Sequence, residues 1–351
     1  MRKATYKQAG VDIQAGDRAV ELMKQAVRST HGSLVLSGLS DFGGMIALPE
    51  GMREPVLVAG TDSVGTKLKI AFALDVHNTV GHDCVAMCVD DIACQGATPL
   101  LFLDYIGIGS LVPEVIAEIV EGVAEACRMC GCALLGGETA ELPGFYEEGE
   151  YDLVGFAVGV VERGRIIDGS QVAAGDRLIG LPSSGLHSNG YSLARYVLLD
   201  EPAIPLEQHM PELERTLGDE LLEPTRIYAG ALARLFATAA EAEFPLPHAI
   251  AHITGGGIAG NVARCIPDGL TARVQMSSFE RPPVFDLIQR LGGIEEAEMR
   301  RTFNLGLGMV LVVGADATDE TLAALTEAGE TPIVVGEVVA EGEAKVTLAG
   351  D

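Results

Sequence analysis

Short apolar runs alternate with longer amphipathic runs along the whole chain, and this alternation predicts an α/β protein. The apolar runs are rich in β-branched side chains, which is typical of buried strands. The amphipathic runs place apolar side chains at helical spacing. In the first half we predict strands at residues 56–59, 100–106, 133–135 and 151–161, and helices at residues 16–27, 80–95 and 113–128.

A charged, glycine-containing connection at residues 163–170 separates this half from a second one. Because such segments commonly join domains, we expect an N-terminal domain at residues 1–168 and a C-terminal domain at residues 169–351. The second half continues the alternation. Its predicted strands are 177–181, 249–253, 309–313 and 333–339, and its predicted helices are 191–199, a part of 221–240, a short one from residue 258, 283–291 and 317–328.

Composition and charge narrow the possible partners. The chain has 351 residues, of which 48% are hydrophobic, enough for two packed cores. The 50 acidic residues outnumber the 24 basic ones, which gives a formal charge of −26. Nucleic acid and anionic membranes bind positively charged proteins, so neither is an expected partner. No run approaches the roughly 18 apolar residues of a membrane span, and the polar start lacks the apolar core of a signal peptide. We therefore expect a cytoplasmic protein.

The seven cysteines fit a packed core better than a metal or redox site. Cys84, Cys88, Cys127 and Cys130 continue the apolar stripes of two predicted helices, and Cys132 enters the next strand. A zinc site needs about four ligands. The sequence offers no second cysteine pair or nearby histidine pair to supply them. We expect reduced, buried thiols.

The segment from Gly60 to Lys67, GTDSVGTK, follows the first predicted strand. It places Asp62 where the strand ends, Gly65 where the backbone can turn sharply, and Lys67 directly afterwards. These groups at the end of a strand could hold a metal ion and a polyphosphate. The spacing differs from a Walker A loop, because Thr66-Lys67 stands where Gly-Lys-Ser/Thr would begin a helix. A polar turn after a core strand is the alternative interpretation.

Three further carboxylates could join Asp62. Asp91, together with Asp90, interrupts the apolar stripe of the predicted helix 80–95, and both a solvated helix edge and a ligand site are open for this pair. Glu138 and Glu141 lie in a glycine-containing segment after the third predicted strand. If the first-half strands share one sheet, their ends could converge, and a few acids with ATP would satisfy Mg²⁺. Isolated acids near turns are also common in an acidic protein.

Two loops of the second half each have a histidine at or beside them. The serine loop (residues 182–190, PSSGLHSNG) offers amides and hydroxyls to a phosphate, and the glycine loop (residues 254–257, TGGG) lets the backbone approach a ligand closely. His187 and His252 could move a proton, with a structural hydrogen bond as the alternative for each. The glycine-rich segment 38–44 is either a disordered connection or a mobile cover over a ligand.

Taken in order, these segments resemble the phosphoribosylformylglycinamidine cyclo-ligase family, whose members are also called aminoimidazole ribonucleotide synthetases. One such segment would be a weak signal, but the ordered set extends over nearly the whole chain. The sequence departs from the family's pattern at Ser63, where many relatives have glycine. The matching segments are 6–12, 60–67, 87–91, 136–144, 187–193, 252–257 and 299–304.

The resemblance implies a two-domain α/β (α+β) fold, in which the first-domain sheet pairs with that of a second subunit in a homodimer and the second domain is a mixed α/β sandwich. It implies cyclisation of formylglycinamidine ribonucleotide to aminoimidazole ribonucleotide with release of ADP and phosphate, the fifth step of de novo purine synthesis. The activated species would be a phosphorylated amide (an iminophosphate). The implied cofactors are ATP and Mg²⁺, with a monovalent cation as a further candidate.

The resemblance also assigns hypothetical roles to the matching residues. Lys67 would contact phosphate, His187 or His252 would carry protons, and the segment 38–44 would close over the nucleotide. The predicted metal ligands are Asp62, Asp91, Glu138 and Glu141, and the predicted nucleotide- and substrate-binding residues are Gly43, Gly44, Asp62, Gly65, Thr66, Lys67, Glu138, Ser184, Asn189, Gly255 and Gly256.

Related functions leave different signatures in a sequence. A selenophosphate synthetase would carry a reactive cysteine or selenocysteine beside a lysine near its N-terminus, whereas the first cysteine here is Cys84. A hydrogenase-maturation relative would end in a cysteine, whereas this chain ends in Asp351. Formylglycinamidine ribonucleotide synthetase is longer or uses a glutaminase partner. A non-catalytic nucleotide-binding regulator would not need to keep the acids and Lys67.

Overall fold

The computed structural model describes residues 4–38, 41–340 and 344–350, and it has the mixed α/β architecture that the sequence predicts. The first half contains α1 (Ile13–Arg28), β1 (Pro55–Ser63), α2 (Leu68–Leu74), α3 (Thr79–Ala93), β2 (Thr98–Ile108), α4 (Pro113–Cys130), β3 (Ala133–Glu141) and β4 (Tyr151–Glu162). The second half contains β5 (Arg177–Pro182), α5 (Tyr191–Arg195), β6 (His209–Met210), β7 (Arg215–Thr216), α6 (Leu217–Leu222), α7 (Ala229–Glu241), β8 (Ala249–His252), α8 (Gly257–Val262), β9 (Thr271–Gln275), α9 (Pro283–Gly292), α10 (Glu296–Thr302), β10 (Leu307–Val313), α11 (Thr318–Glu327), β11 (Ile333–Val339) and β12 (Val346–Ala349).

Local sequence signals explain where the first-half helices begin and end. The side chain of Asp12 caps α1 by accepting the backbone N–H groups of Gln14 and Ala15. Pro113 occupies the first turn of α4, where its missing N–H costs nothing. Gly131 ends α4 in a left-handed conformation with a φ of 70°, which favours glycine. The predicted helices 80–95 and 113–128 are therefore confirmed, with their ends shifted by one or two residues.

The first half forms a four-stranded sheet in the order β1-β4-β2-β3. β4 pairs antiparallel with both β1 and β2, and β3 pairs parallel with β2. β1 and β3 are therefore the two edge strands. The predicted convergence of strand ends is wrong for the strands that carry the candidate carboxylates, because the full width of the sheet separates them.

Two strands are longer than their apolar runs predict. β1 continues through Asp62 and Ser63, which pair with Gly155 and Val154 of β4, so Asp62 lies inside the strand. β3 continues to Glu141 by pairing with β2, so Glu138 and Glu141 also lie in a strand and not in a loop beyond it. The partner strands supply backbone hydrogen bonds that keep these polar residues extended, which a hydrophobic pattern does not reveal.

The second half forms a six-stranded sheet in the order β12-β9-β11-β5-β10-β8. Its pairs are antiparallel apart from the parallel pair of β12 with β9. The edge strand β8 ends at His252, close to the first half. The sequence-based prediction missed β9 and β12, and also the short helices α2, α6 and α10, whose apolar periodicity is too brief to be recognised.

Packing at the junction joins the two halves. A single cluster of buried apolar side chains includes Val85 and Ile92 of α3 together with Tyr228, Leu232 and Leu235 at the start of α7 and within it. The six-stranded sheet has a second buried cluster on its other face. All seven cysteines are free thiols, and all but Cys265 are buried, which confirms the predicted core role for those six. None of the described helices is long and apolar enough to cross a membrane.

Candidate active site

Asp62, Asp91 and His252 lie together where the two halves join. Asp62 belongs to β1, Asp91 lies near the C-terminal end of α3, and His252 ends β8. The Nδ1–H of His252 donates a hydrogen bond to Oδ1 of Asp91 at 2.9 Å. The side chain of Asp91 is 52% exposed, whereas that of His252 is buried. The structure thus brings together two predicted metal ligands and one predicted proton carrier.

These groups change the pKa values of one another. Burial raises the pKa of Asp62, the nearby charge of Asp91 adds to the rise, and the Ser63 amide and His252 oppose it. Burial alone would lower the pKa of His252, but its hydrogen bond to Asp91 and the charges of the surrounding aspartates outweigh burial and raise it. His252 therefore holds a proton more readily than an ordinary histidine. Its Nε2 is buried and has no partner among the described residues.

The serine loop and the glycine loop meet beside this cluster. Oδ1 of Asn189, from the serine loop, accepts the backbone N–H of Gly255, from the glycine loop, at 3.0 Å. Gly256 has a φ of 100°, a backbone conformation that favours glycine. The turn after β1 also contacts this region, because the hydroxyls of Thr66 and Ser192 are 3.2 Å apart. The predicted ligand contacts of these loops stay predictions, but the loops themselves are neighbours.

The donors of Ser184 are occupied by the protein. Its hydroxyl donates to the carbonyl oxygen of Pro224 at 2.7 Å, and its backbone N–H donates to Nε2 of His187 at 3.2 Å. Ser188 likewise donates its hydroxyl to the carbonyl oxygen of Val64 at 2.7 Å. A hydroxyl has a single proton to donate. These bonds fasten the serine loop to neighbouring segments, and the prediction that Ser184 binds a ligand stays a prediction.

His187 is a buried, neutral imidazole. Because its Nε2 accepts the N–H of Ser184, the ring proton resides on Nδ1. Burial, and then the nearby positive charges of His252, Lys67 and Arg226, lower the pKa of His187 well below its ordinary value. Nδ1 is buried and has no partner among the described residues. This environment opposes protonation near neutral pH, which argues against the predicted role of His187 as a proton carrier.

Lys67 is fully buried and points into the junction. Its Nζ donates to Oδ1 of Asp83 at 2.8 Å, to the carbonyl oxygen of His187 at 3.1 Å and to that of Glu223 at 2.6 Å. An ammonium has three protons, so none is left for a phosphate. These bonds hold the serine loop and the segment at Glu223 against the first half, and the phosphate contact predicted for Lys67 stays a prediction.

Two buried carboxylates of α3 complete this junction. Oδ1 of Asp83 accepts both the N–H and the hydroxyl of Thr225, at 2.9 and 2.6 Å. Oδ1 of Asp90 accepts the N–H groups of Tyr228 and Ala229, at 2.9 and 2.7 Å, and so caps the start of α7. Burial raises the pKa of Asp90 to about 7. Of the two alternatives for the Asp90–Asp91 pair, a solvated edge is wrong for Asp90.

Sequence reasoning missed the role of Asp83. The available signal was the spacing of Asp83 and Asp90, which are seven residues apart and so share one face of α3. Val80, Met87 and Cys88 make that region of the helix apolar and buried. Two acids within a buried stripe require hydrogen-bond donors from another element.

Glu138 and Glu141 lie away from Asp62 and Asp91. Asp62 shares a row of paired residues with Gly137 of β3, three strand spacings away, which corresponds to about 14 Å. Glu141 lies four residues further along β3, and its two carboxylate oxygens accept the N–H groups of Asp12 and Leu111, both within 2.8 Å. Within one chain, neither glutamate joins the predicted metal set, and Glu141 instead anchors two backbone segments.

The predicted cover also lies at the β3 edge. A Cβ added to Gly44 would come 2.3 Å from a side-chain carbon of Leu135, so this glycine packs closely against β3. Gly43 precedes it in the same segment. Leu39 and Ser40, which belong to the predicted cover, lie outside the described residues. In this structure the end of the predicted cover, at Gly44, lies beside β3.

The donor set suits a hard cation that keeps water ligands. Among the described residues, no three Asp, Glu, His or Cys side chains are grouped closely enough to enclose a metal ion. Asp62 and Asp91 still offer carboxylate oxygens with partial exposure. Mg²⁺ commonly takes one or two carboxylates and completes its shell with water and phosphate oxygens. This pair therefore fits Mg²⁺ bound together with a polyphosphate better than a closed protein site.

Family models match both halves of the chain. The N-terminal domain of AIR synthase related proteins matches residues 43–161, and the C-terminal domain of the same group matches residues 173–349. Among curated proteins, a phosphoribosylformylglycinamidine cyclo-ligase from Sorangium cellulosum is 55% identical over 97% of this chain and 96% of its own length. One from Geobacillus kaustophilus is 52% identical over 100% of this chain and 99% of its own length.

Solved structures share the fold at low sequence identity. A thiamine-monophosphate kinase from Stenotrophomonas maltophilia has a TM-score of 0.67 and 19% identity, with 94% of this chain and 96% of that chain covered. The hydrogenase maturation protein HypE, in complex with ATP, has a TM-score of 0.64 and 15% identity, with 95% and 90% covered. These likenesses establish the fold alone.

Proposed function

The chain belongs to the phosphoribosylformylglycinamidine cyclo-ligase family, and from this premise we propose that it uses ATP and Mg²⁺ to cyclise formylglycinamidine ribonucleotide to aminoimidazole ribonucleotide, releasing ADP and phosphate. The observation that carries the proposal to particular residues is the hydrogen bond between Asp91 and His252 beside Asp62. It gathers oxygen ligands and a proton carrier at one junction. The ATP-bound relative HypE supports ATP as the co-substrate.

The chemistry requires activation before ring closure. A formyl amide oxygen is a poor leaving group, so the γ-phosphoryl group of ATP is first transferred to it, which gives a phosphorylated amide. The amidine nitrogen of the same molecule then attacks the activated carbon, forming the new C–N bond. The C–O bond breaks, phosphate leaves with the electron pair, and loss of a proton makes the imidazole ring aromatic.

The protein's contribution is to position charges and to move protons. Asp62 and Asp91 would hold Mg²⁺, which neutralises the charge of the phosphate oxygens when it is bound. Asp91 fixes the orientation of His252 through Nδ1, so Nε2 is the atom that accepts the substrate's proton. Asn189 holds the glycine loop through Gly255, next to these groups.

We also infer that a second copy of the chain covers the outer face of the four-stranded sheet. Three large apolar side chains are exposed on this sheet: Leu57 at 62%, Phe156 at 40% and Tyr105 at 36%. Exposed apolar patches of this kind mark interaction sites. Glu138 pairs with Tyr105 in register and so shares this face. Light scattering should give a dimer for the wild type and a monomer for Leu57→Glu, and a monomeric wild type would contradict the inference.

An assay with purified protein tests the proposed reaction. With formylglycinamidine ribonucleotide, ATP and Mg²⁺, we expect ADP and aminoimidazole ribonucleotide in equal amounts. Chelation by EDTA should stop both products, and excess Mg²⁺ should restore them. ADP release without aminoimidazole ribonucleotide, or ADP release only with thiamine monophosphate, would contradict the proposal.

A further inference from the structure

A cleft of about 230 Å³ opens beside Asp91 and His252 at the junction of the two halves. One wall is the C-terminal end of α3, and a second is the connection at residues 167–169. The edge strand β8 and Asn261 of α8 continue the lining, and Arg264 and Cys265, which follow α8, complete it. The cleft is therefore continuous with the candidate active site and bounded by both halves.

Arg264 is the cationic side chain of this lining whose charge is free. It is exposed, and no carboxylate within the described ranges pairs with it. The acidic side chains of the cleft are Asp91, which is bonded to His252, and Asp168, which accepts the N–H of Ser170 at 2.9 Å. The chain has a formal charge of −26 and as a whole repels anions. An unpaired guanidinium in a cleft is therefore a local group that can attract and bind an anion.

The glycine loop fixes the position of Arg264. The amide nitrogen of Asn261 donates to the carbonyl oxygens of Thr254, Gly255 and Gly257, at 3.3, 3.3 and 2.9 Å. The backbone N–H of Arg264 in turn donates to the carbonyl oxygen of Asn261 at 3.1 Å. Arg264 is thus attached to the glycine loop, which also contacts Asn189 and lies next to His252. Its backbone is held by a hydrogen bond, and the residue is exposed.

We propose that Arg264 binds the phosphate monoester of the phosphoribosyl substrate in this cleft, while the substrate's amidine end faces Asp91 and His252. The inference deepens the proposed function and rests on it for the identity of the whole substrate. A guanidinium forms paired hydrogen bonds with phosphate oxygens. The cleft has a cationic side chain, Arg264, and an acidic one, Asp91, at the end next to His252, whereas the substrate has an anionic phosphate and a basic amidine, so the charges are complementary.

The lining favours a monophosphate over a free polyphosphate. Asp91 and Asp168 lie in the same cleft and repel additional negative charge. A triphosphate requires metal ions or several cations for neutralisation, and this cleft offers a single unpaired arginine. The two phosphate sources that remain are the substrate's phosphoribosyl group and the inorganic phosphate that the reaction releases.

Calorimetric titration of the full chain with ribose 5-phosphate, and separately with inorganic phosphate, tests this assignment. We expect saturable binding of ribose 5-phosphate by the wild type, about tenfold or more weaker binding by Arg264→Gln, and partial retention by Arg264→Lys. Arg290→Gln is the matched control, because Arg290 is exposed and paired with Glu212. Binding that is unchanged in Arg264→Gln, or absent in the wild type, would overturn the proposal, as would inorganic phosphate binding more tightly than ribose 5-phosphate.

Steady-state kinetics separate this inference from the proposed function. In Arg264→Gln we expect the KM for the phosphoribosyl substrate to rise about tenfold or more, with the KM for ATP unchanged. If ribose 5-phosphate binding depends on Arg264 but the wild type forms no aminoimidazole ribonucleotide, the proposed function fails and the phosphate site stands. If the wild type cyclises the substrate and Arg264→Gln does so with the same KM, the phosphate site fails and the function stands.

Discussion

Helix α3 carries two kinds of aspartate in two contrasting regions. The buried junction, formed by Lys67, Asp83 and Asp90, is closed to solvent, and its two carboxylates accept backbone N–H groups from the second half. In the open rim, formed by Asp62, Asp91 and His252, both aspartates are partly exposed to solvent, and Asp91 accepts a hydrogen bond from His252. Asp90 and Asp91 are adjacent in sequence and belong to different regions.

The difference shows that burial and available donors, more than residue type, decide what an acid does. A buried carboxylate is tolerated when N–H groups and a cation satisfy it, and its removal then weakens the fold. A half-exposed carboxylate contributes little to stability and can bind a metal ion or a substrate. The two regions should therefore respond differently to substitution: the buried junction in stability, the open rim in turnover.

The largest effect should come from Lys67→Met, which leaves Asp83 buried without its cation. We expect a loss of about 3–5 kcal/mol in the free energy of unfolding, measured by urea denaturation. The double variant Lys67→Met/Asp83→Leu should recover much of this loss, because it removes both buried charges. A Lys67→Met protein that keeps wild-type stability but has lost ATP turnover would instead support the phosphate contact predicted for Lys67.

Asp62→Asn should act on turnover with a smaller effect on stability. Removing one charged oxygen ligand from the proposed metal site should lower kcat by about 100-fold or more, while the free energy of unfolding changes by less than about 1 kcal/mol. Glu141→Gln is the matched control among the predicted metal ligands. Because Glu141 accepts two backbone N–H groups, this variant should lose stability and keep a near-normal kcat. The reverse pattern would return Glu141 to the metal site.

A smaller effect should appear in the pH dependence of stability through His187. In the unfolded chain this histidine gains a proton near pH 6.5, whereas its lowered pKa keeps it neutral in the fold. The unfolded state therefore binds more protons below pH 6.5, and stability falls as the pH falls, by up to about 1.4 kcal/mol per pH unit.

His187→Asn tests this prediction with little backbone strain, because His187 has a φ of 63° and asparagine tolerates this conformation. Urea denaturation at pH 7.5 and pH 5.5 should show a smaller loss of stability for the variant than for the wild type. Equal losses in the two proteins would show that His187 is protonated in the fold as readily as in the unfolded chain.

Much of the fold could be predicted from hydrophobic patterning. Long amphipathic runs such as α4 carry their own start and stop signals in Pro113 and Gly131, so their ends were predictable. The extent of β1 and β3 was not, because residues 60–63 and 136–141 are polar or glycine and become strands through pairing with β4 and β2. The order of strands in a sheet depends on pairing between segments that are far apart in the sequence. No local sequence pattern therefore indicated that β1 and β3 lie at opposite edges.

The sequence predicted which residue types form the site better than it predicted which of these residues lie close together. Asp62, Asp91 and His252 are neighbours, as the metal and proton hypotheses required. Lys67 and His187 were assigned to chemistry because they stand in polar, glycine-containing segments, but tertiary contacts bury both. Glu138 and Glu141 share the acidic character of Asp62, and only the sheet order shows that they lie at the other edge.

The adjacent pair Asp90→Ala and Asp91→Ala gives the most direct test of the contrast, with unfolding free energy and kcat measured for each. We expect Asp90→Ala to lose at least about 2 kcal/mol of stability, because two buried N–H groups lose their acceptor. We expect Asp91→Ala to stay within about 1 kcal/mol of the wild type and to lose about 100-fold or more in kcat. Wild-type turnover in Asp91→Ala, or equal losses of stability in the two variants, would contradict the account.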